Sequence, residues 1–189
     1  QLAVNPLGAR AAPVVPVTVG TMPPVYDYQA EAVDAWIAAG GQGVIDLPPR
    51  SGKTRIAIAA SIRVNLPMMM VVPRKVLVKQ TVEAFREFYP ANQVVVIMGG
   101  APSVKKRQAM ARAMVWIVTP PTAAGPKKNG NRTGISGIRS RQFLILDEFH
   151  HSAAETYLSI SQAAANAYFR MGLTGTHYRA DGKDLLMHS

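Results

Sequence analysis

Gly43-Val44-Ile45-Asp46-Leu47-Pro48-Pro49-Arg50-Ser51-Gly52-Lys53-Thr54 is the stretch that decides the fold. Gly43 to Leu47 reads as a buried-type strand, Pro48 and Pro49 break it, and Lys53 to Val64 reads as a helix. A strand, a tight loop and a helix N-terminus in that order suit a phosphate loop. Successive backbone N–H groups and the helix dipole face an anion, a lysine neutralises β/γ-phosphate charge, and a threonine hydroxyl can ligate Mg²⁺. Arg50, Ser51, Gly52, Lys53 and Thr54 are therefore candidate nucleotide-binding residues, with Thr54 also a metal ligand. Gly52 lets the backbone approach the phosphates closely. Neither proline has an N–H, so the cradle must start at Arg50. Taken alone the signal is modest. Gly-Lys-Ser/Thr arises by chance in roughly one chain in ten of this length, and Leu47 stands where the standard pattern has its first glycine. The alternative is an ordinary strand-to-helix turn.

On either side of this stretch, short apolar runs alternate with helical patterns, which argues for βαβ units and a mainly parallel central sheet flanked by helices. Helices are expected over 27–39, 53–64, 75–88, 104–113 and 154–167, and strands over 43–47, 68–72, 94–98, 115–118, 143–146 and 170–174. Val33, Trp36 and Ile37 fall on one face of the first helix, and Leu77, Phe85 and Phe88 point inward from the third. Residues 124–140, rich in Gly, Lys, Arg and Asn, read as a mobile loop. There is no internal repeat.

Phe143-Leu144-Ile145-Leu146-Asp147-Glu148 is an apolar strand ending in two carboxylates. In α/β sheets ligands gather at the carboxyl ends of strands, where the phosphate loop also lies. Asp147 is placed to hold Mg²⁺ and Glu148 to polarise an attacking water as general base, so Lys53, Asp147 and Glu148 form the candidate catalytic set. The alternative is that the two acids simply end a strand at the surface. His150 and His151 follow at once, but there is no cysteine or third clustered histidine to complete a metal site.

The 189 residues suit one domain with a substantial core, and 48% hydrophobic residues exclude a disordered chain. No apolar run approaches the roughly 20 residues that span a bilayer. Zero cysteines exclude disulfides and thiolate metal sites, which fits an intracellular protein. A formal charge of +10 attracts polyanions. The basic residues cluster at Lys105-Lys106-Arg107, at Lys127-Lys128 and at Arg132, Arg139 and Arg141, although each cluster alone reads equally well as a solvated surface. Residues 1–25 carry Pro6, Pro13, Pro16, Pro23 and Pro24 and read as an extended arm or linker. The start at Gln1 and the stop soon after the last recognisable element lead us to expect a fragment or processed product.

In order along the chain, these motifs resemble the N-terminal RecA-like motor domain of superfamily 2 (DEAD/DEAH-like) helicases and translocases. The motif style is nearest to that of phage and bacterial DNA helicases. Tyr28-Gln29-Ala30-Glu31-Ala32-Val33 looks like the Q motif, and Leu47 to Thr54 like motif I, which in this family commonly lacks the first glycine. Val72 to Gln80 resembles motif Ia, while Gly99-Gly100 and Val118-Thr119-Pro120 resemble the next nucleic-acid-contacting elements. Asp147-Glu148-Phe149-His150 is a DEAH-like motif II, and Leu173 to Arg179 is similar to motif III. Three departures stand out: Arg50 replaces the usual glycine of motif I, Phe149 a small residue of motif II, and His177 a proline after motif III.

The resemblance implies ATP and Mg²⁺ as cofactors. Gln29 would read the adenine edge and Tyr26 would stack on the base. Arg74, Lys79, Gly100 and Thr119 would touch the nucleic-acid backbone, and His150 would couple γ-phosphate state to Thr174 or Thr176. It implies a RecA-like domain over residues 26–180 and, over 181–189, the start of a linker to a second such domain, which would supply the arginine fingers. The isolated chain is then expected to bind ATP weakly, to hydrolyse it very slowly and not to unwind a duplex. DNA is favoured over RNA, in the cytoplasm of a bacterial or phage-infected cell, with no membrane. An RNA helicase domain, a non-motor nucleic-acid-binding or regulatory module that kept the fold, and a small P-loop kinase are the competing readings.

Overall fold

A computed structural model describes residues 22–99, 102–128, 131–148 and 154–175. The elements run α1 (Asp27–Ala38), β1 (Gln42–Asp46), α2 (Lys53–Val64), β2 (Met68–Val71), α3 (Lys75–Arg86), β3 (Val94–Ile97), α4 (Val104–Arg112) and β4 (Val115–Val118). They continue with α5 (Pro120–Ala124), β5 (Lys127–Lys128), β6 (Asn131–Arg132), β7 (Phe143–Asp147), α6 (Ala154–Ala163) and β8 (Phe169–Thr174). Six strands form one sheet in the order β1-β8-β7-β2-β4-β3, and every pairing is parallel. β5 and β6 pair separately as a small antiparallel hairpin.

The central strands are apolar throughout because both of their faces are covered. Alternate residues supply two separate cores, as the two-residue period of a strand requires. Met68, Met70, Val115, Ile117, Phe143 and Ile145 pack on one face with Val33 and Trp36 of α1, Ile56 of α2 and Phe85 of α3. Met69, Val71, Trp116, Val118, Leu144 and Leu146 pack on the other, with Met110 of α4, Ala123 of α5 and Tyr157 and Ile160 of α6. Of the helix faces read from the sequence, Val33, Trp36 and Phe85 are buried, whereas Ile37, Leu77 and Phe88 lie at the core margin.

Most element ends fall within two residues of the sequence reading. The exception is α6, which stops at Ala163, four residues early. The guanidinium of Arg170 donates to the carbonyls of Ser161 and Ala164 there, a long-range C-terminal cap that an alanine-rich local pattern does not reveal.

The segment 124–140 departs further from expectation. Its described residues include buried, hydrogen-bonded positions where a mobile loop was expected. Ile135 and Ile138 are buried against the second core, and Gly134 N and Ile135 N donate to Ala124 O and Ala123 O. Glycine is required at position 125, where φ is +66° and a side chain would collide with the Gly134 backbone. Arg141 is also withdrawn from the surface cluster assigned to it. It is 3% exposed, donates to Ala113 O at 2.7 Å and lies 4.3 Å over the Trp116 ring, and burial lowers its pKa to about 10.

Ile138→Ala tests this packing. A buried isoleucine truncated to alanine costs about 2–5 kcal/mol, against a few tenths in a mobile loop. Thermal or urea unfolding should show the larger loss.

Candidate active site

β8 lies between β1 and β7, so the loop after β1 and the acids ending β7 face each other across the end of β8. Lys53, the first residue of α2, sends its ammonium to Glu148 Oε1 at 3.3 Å. The same nitrogen donates to the carbonyl oxygens of Leu47 at 3.2 Å and Pro48 at 3.4 Å. The lysine side chain is 10% exposed and the glutamate 23%, so the pair is largely desolvated at the carboxyl rim of the sheet.

Asp147 ends β7 beside them. Its pKa is raised from 3.8 to about 6, mainly by burial and then by the Glu148 charge, against the lowering effects of Lys53 and the Glu148 backbone hydrogen bond. Tyr157 OH of α6 donates to Asp147 O at 3.2 Å and ties this strand end to the helix.

The loop carries backbone strain. Arg50 has φ +67° and Glu148 φ +45°, left-handed values that cost a non-glycine residue on the order of 1–3 kcal/mol each. The Ser51 hydroxyl oxygen is buried without a hydrogen-bond partner. An orphaned hydroxyl beside a desolvated lysine at a helix N-terminus fits a loop that accepts phosphate oxygens. Thr54 follows in the first turn of α2, and Asp147 ends the facing strand. A hydroxyl and a carboxylate are the oxygen donors a Mg²⁺ site needs.

Gln29 is held inside the protein. It is 1% exposed, its Oε1 accepts from Tyr26 N at 3.0 Å, and its Nε2 donates to Ser51 O at 2.8 Å. The carboxamide thus caps α1 and braces the loop after β1. It also explains Gly52, where a side chain would meet Gln29 Nε2 at 2.5 Å on a φ of +76°. Tyr26, 70% exposed, stacks on Tyr28 with centroids 5.8 Å apart, and Tyr28 OH donates to Ser51 O at 2.9 Å. Tyr28 had no role in the sequence reading, yet it carries the platform against the loop.

Gly175 was also missed as a working residue. It follows β8 directly, and a side chain there would meet Lys53 Nζ at 2.5 Å, Glu148 Oε1 at 3.2 Å and Leu47 O at 3.4 Å. The only available signal was a glycine between two threonines at a strand end. Thr174 is buried, and its carbonyl accepts from Leu47 N at 3.1 Å. Arg74 is exposed at the start of α3, and Lys79 is exposed with Glu83 3.9 Å away. Thr119 is 5% exposed, with its hydroxyl 3.1 Å from that of Thr122. Gly100, His150 and Thr176 lie outside the described residues.

Strand order and the helices on both faces define a RecA-like α/β domain. Residues 23–179 match the family described as Type III restriction enzyme, res subunit, and the chain belongs to this family. It is 33% identical over 161 residues to the DNA 3'-5' translocase XPB2 of Sulfurisphaera tokodaii, covering 83% of this chain and 32% of that protein. It is 26% identical over 172 residues to putative helicase 22 of Sulfolobus islandicus filamentous virus, covering 84% of this chain and 29% of that protein. The chain therefore spans about a third of the length of these relatives. The UvsW helicase of bacteriophage T4 shares the fold with TM-score 0.65 at 20% identity, over 80% of this chain and 52% of that one. The Hef helicase domain of Pyrococcus furiosus does so with TM-score 0.62 at 25% identity, over 82% of this chain and 34% of that one. Among the described residues, no helix is long and apolar enough to cross a membrane.

Gly175→Ala separates site from scaffold. The added methyl displaces a flexible lysine tip, so unfolding temperature should change by no more than a few degrees while nucleotide affinity falls severalfold. An equal loss of both would mean that Gly175 serves packing alone.

The Asp147 shift sets a pH signature. The folded domain holds this proton more tightly than the unfolded chain, so the burden of burying the charge is absent below pH 3.8 and complete above about 6. Between those values, in Mg²⁺-free buffer, this group lowers stability as pH rises, and Asp147→Asn should flatten that part of the profile in denaturant titrations.

Proposed function

We propose that this chain is the nucleotide-binding half of an ATP-driven motor that moves on or unwinds nucleic acid, DNA in preference to RNA. The observation that carries the reading is the desolvated Lys53–Glu148 pair, 3.3 Å apart at the rim beside the orphaned Ser51 hydroxyl. A structural ion pair has no need of a loop with an unpartnered hydroxyl and left-handed residues. A triphosphate site uses all three features. The preference for DNA rests on the relative named as a DNA translocase.

In this reading the Lys53 ammonium leaves Glu148 and the loop carbonyls for β/γ-phosphate oxygens, exchanging one set of charge-assisted contacts for another. Glu148, released, accepts the proton of the attacking water as general base. Thr54 and Asp147 are the residues that hold Mg²⁺, whose contribution when bound is neutralisation of phosphate charge. Tyr26 and Tyr28 offer the base an aromatic face, and Gln29 acts on the nucleotide through the loop it braces. Arg50 stays a phosphate contact, and Arg74 and Lys79 reach the nucleic-acid backbone. Thr174 with His150 and Thr176 forms the proposed coupler, resting for the last two on sequence alone.

Residues 26–180 form the proposed RecA-like unit, with 1–25 an arm and 181–189 the start of a linker. The partner is a second RecA-like domain supplying arginine fingers, in keeping with relatives about three times longer. The cytoplasm of a bacterial or phage-infected cell is the proposed location, supported by the resemblance.

Titration with a fluorescent ATP analogue and Mg²⁺ tests this. Lys53→Ala should weaken binding about 10–100-fold, the worth of one charge-assisted hydrogen bond. Glu148→Gln should bind as well as the parent or better, while turnover by the full-length protein falls by about 10²-fold or more. Parent-like binding by Lys53→Ala, together with parent-like turnover by Glu148→Gln, overturns the assignment.

A further inference from the structure

The other half of the rim is built differently. Between Glu87 and Asp147 the chain has no Asp or Glu, but it has nine basic residues: Lys105, Lys106, Arg107, Arg112, Lys127, Lys128, Arg132, Arg139 and Arg141. Nearly all of the net charge of +10 therefore arises in the segment that forms β3, α4, β4, α5 and the hairpin. The ion pairs found among the described residues are Lys53–Glu148, Arg63–Asp34 and Lys79–Glu83, and none involves this segment.

Topology gathers part of this charge beside Arg74. Parallel strands β2, β4 and β3 are neighbours, so the ends of β2 and β3 stand two strand spacings apart, on the order of 10 Å. The α3 helix starts after β2 and α4 after β3, on opposite faces of the sheet but at the same rim. Neither helix has an acidic residue in its first turn. They carry Lys75 there in α3 and Lys105 and Lys106 in α4, followed by Arg107. Cations at a helix N-terminus oppose the helix dipole, whereas α1, away from this half of the rim, has Asp27 in that position. Lys75, Lys105 and Arg107 are exposed and Lys106 is partly so. Arg107 is braced by donating to Pro102 O at 2.7 Å. Cations held against their own helix dipole, in a stretch without carboxylates, are stabilised by an external polyanion.

We infer that the nucleic-acid track does not end at Arg74 and Lys79 but crosses the end of β3 onto the first turn of α4, where Lys105, Lys106 and Arg107 contact the phosphodiester backbone. This rests on the proposed nucleic-acid-binding function and adds to it a binding surface outside the family motifs. Such groups bind phosphates without reading bases, so they add affinity and salt dependence but no sequence preference.

The test measures binding of a fluorescein-labelled single-stranded oligodeoxynucleotide by the 189-residue chain, using anisotropy over a series of salt concentrations. Removing one cation that neutralises a phosphate of a single strand reduces the slope of log K against log salt by about 0.7. The triple variant Lys105→Ala/Lys106→Ala/Arg107→Ala should therefore flatten the slope by about 2 at unchanged unfolding temperature. Lys127→Ala/Lys128→Ala, which removes charge from the separate two-stranded hairpin after α5, should leave it within about 0.5 of the parent. Arg74→Ala/Lys79→Ala tests the underlying reading separately. If that pair loses affinity while the triple variant keeps the parent slope, the extension onto α4 is wrong and the motor surface stands. If the hairpin variant flattens the slope as much per charge as the triple variant, the binding is diffuse and the inference fails. Absence of any binding at low salt by the parent overturns both.

Discussion

An ammonium group buried to 10% exposure cannot stand alone, because removing a charge from water costs several kcal/mol unless partners replace the solvent. Lys53 finds those partners in two loop carbonyls and in Glu148, and that demand shapes the site. The loop must curl back so that Leu47 and Pro48 present their oxygens, and β7 must end where Glu148 can reach the same nitrogen. The strand between them must finish in a residue with no side chain, which is Gly175. A longer residue there would occupy the space where the lysine and the glutamate meet.

The loop in turn depends on its neighbours. Ser51 O accepts from both the Gln29 amide and the Tyr28 hydroxyl, so the start of α1 holds the middle of the loop. The Leu47 N–H bonds Thr174 O, so the end of β8 holds its beginning. With its beginning and middle fixed, the loop completes its turn with Arg50 and Gly52 in left-handed conformations. The strain at Arg50 is therefore a consequence of fixed anchors, and it remains because relaxing it would break hydrogen bonds on either side.

Much of the fold was legible because the signals are local. The continuous apolar runs of Met68–Val71, Val115–Val118 and Phe143–Asp147 are written in consecutive residues, and the break at Pro48-Pro49 marks where strand gives way to loop. Strand order is not local. Nothing near Phe169–Thr174 says that this strand lies between the phosphate-loop strand and the acidic one, so the task of Gly175 stayed hidden. The same reason hid the environments of three polar residues. Arg141 and Thr119 look like surface groups until the packing around Trp116 and Thr122 is known. Nothing local to Gln29 says that its amide also holds Tyr26 and Ser51. Segment 124–140 was misread because its composition is that of a loop, while its order comes from two isoleucines and three glycines with positive φ.

The two halves of the rim are joined where β7 pairs with β2, in the middle of the sheet. The proposed phosphate site lies on one side, at the ends of β1, β8 and β7, and the proposed basic track on the other, at the ends of β2, β4 and β3. The register pairs Leu146, next to Asp147, with Val71, three residues before Arg74. A movement of the acidic pair on losing or gaining a phosphate partner would have a short path through β7 and β2, buried from Leu146 to Val72, to the start of α3. Packed parallel strands resist bending, so such a movement is transmitted rather than absorbed. A rigid sheet with the two proposed anion sites on the two halves of one edge would let a change at the nucleotide be felt at the track.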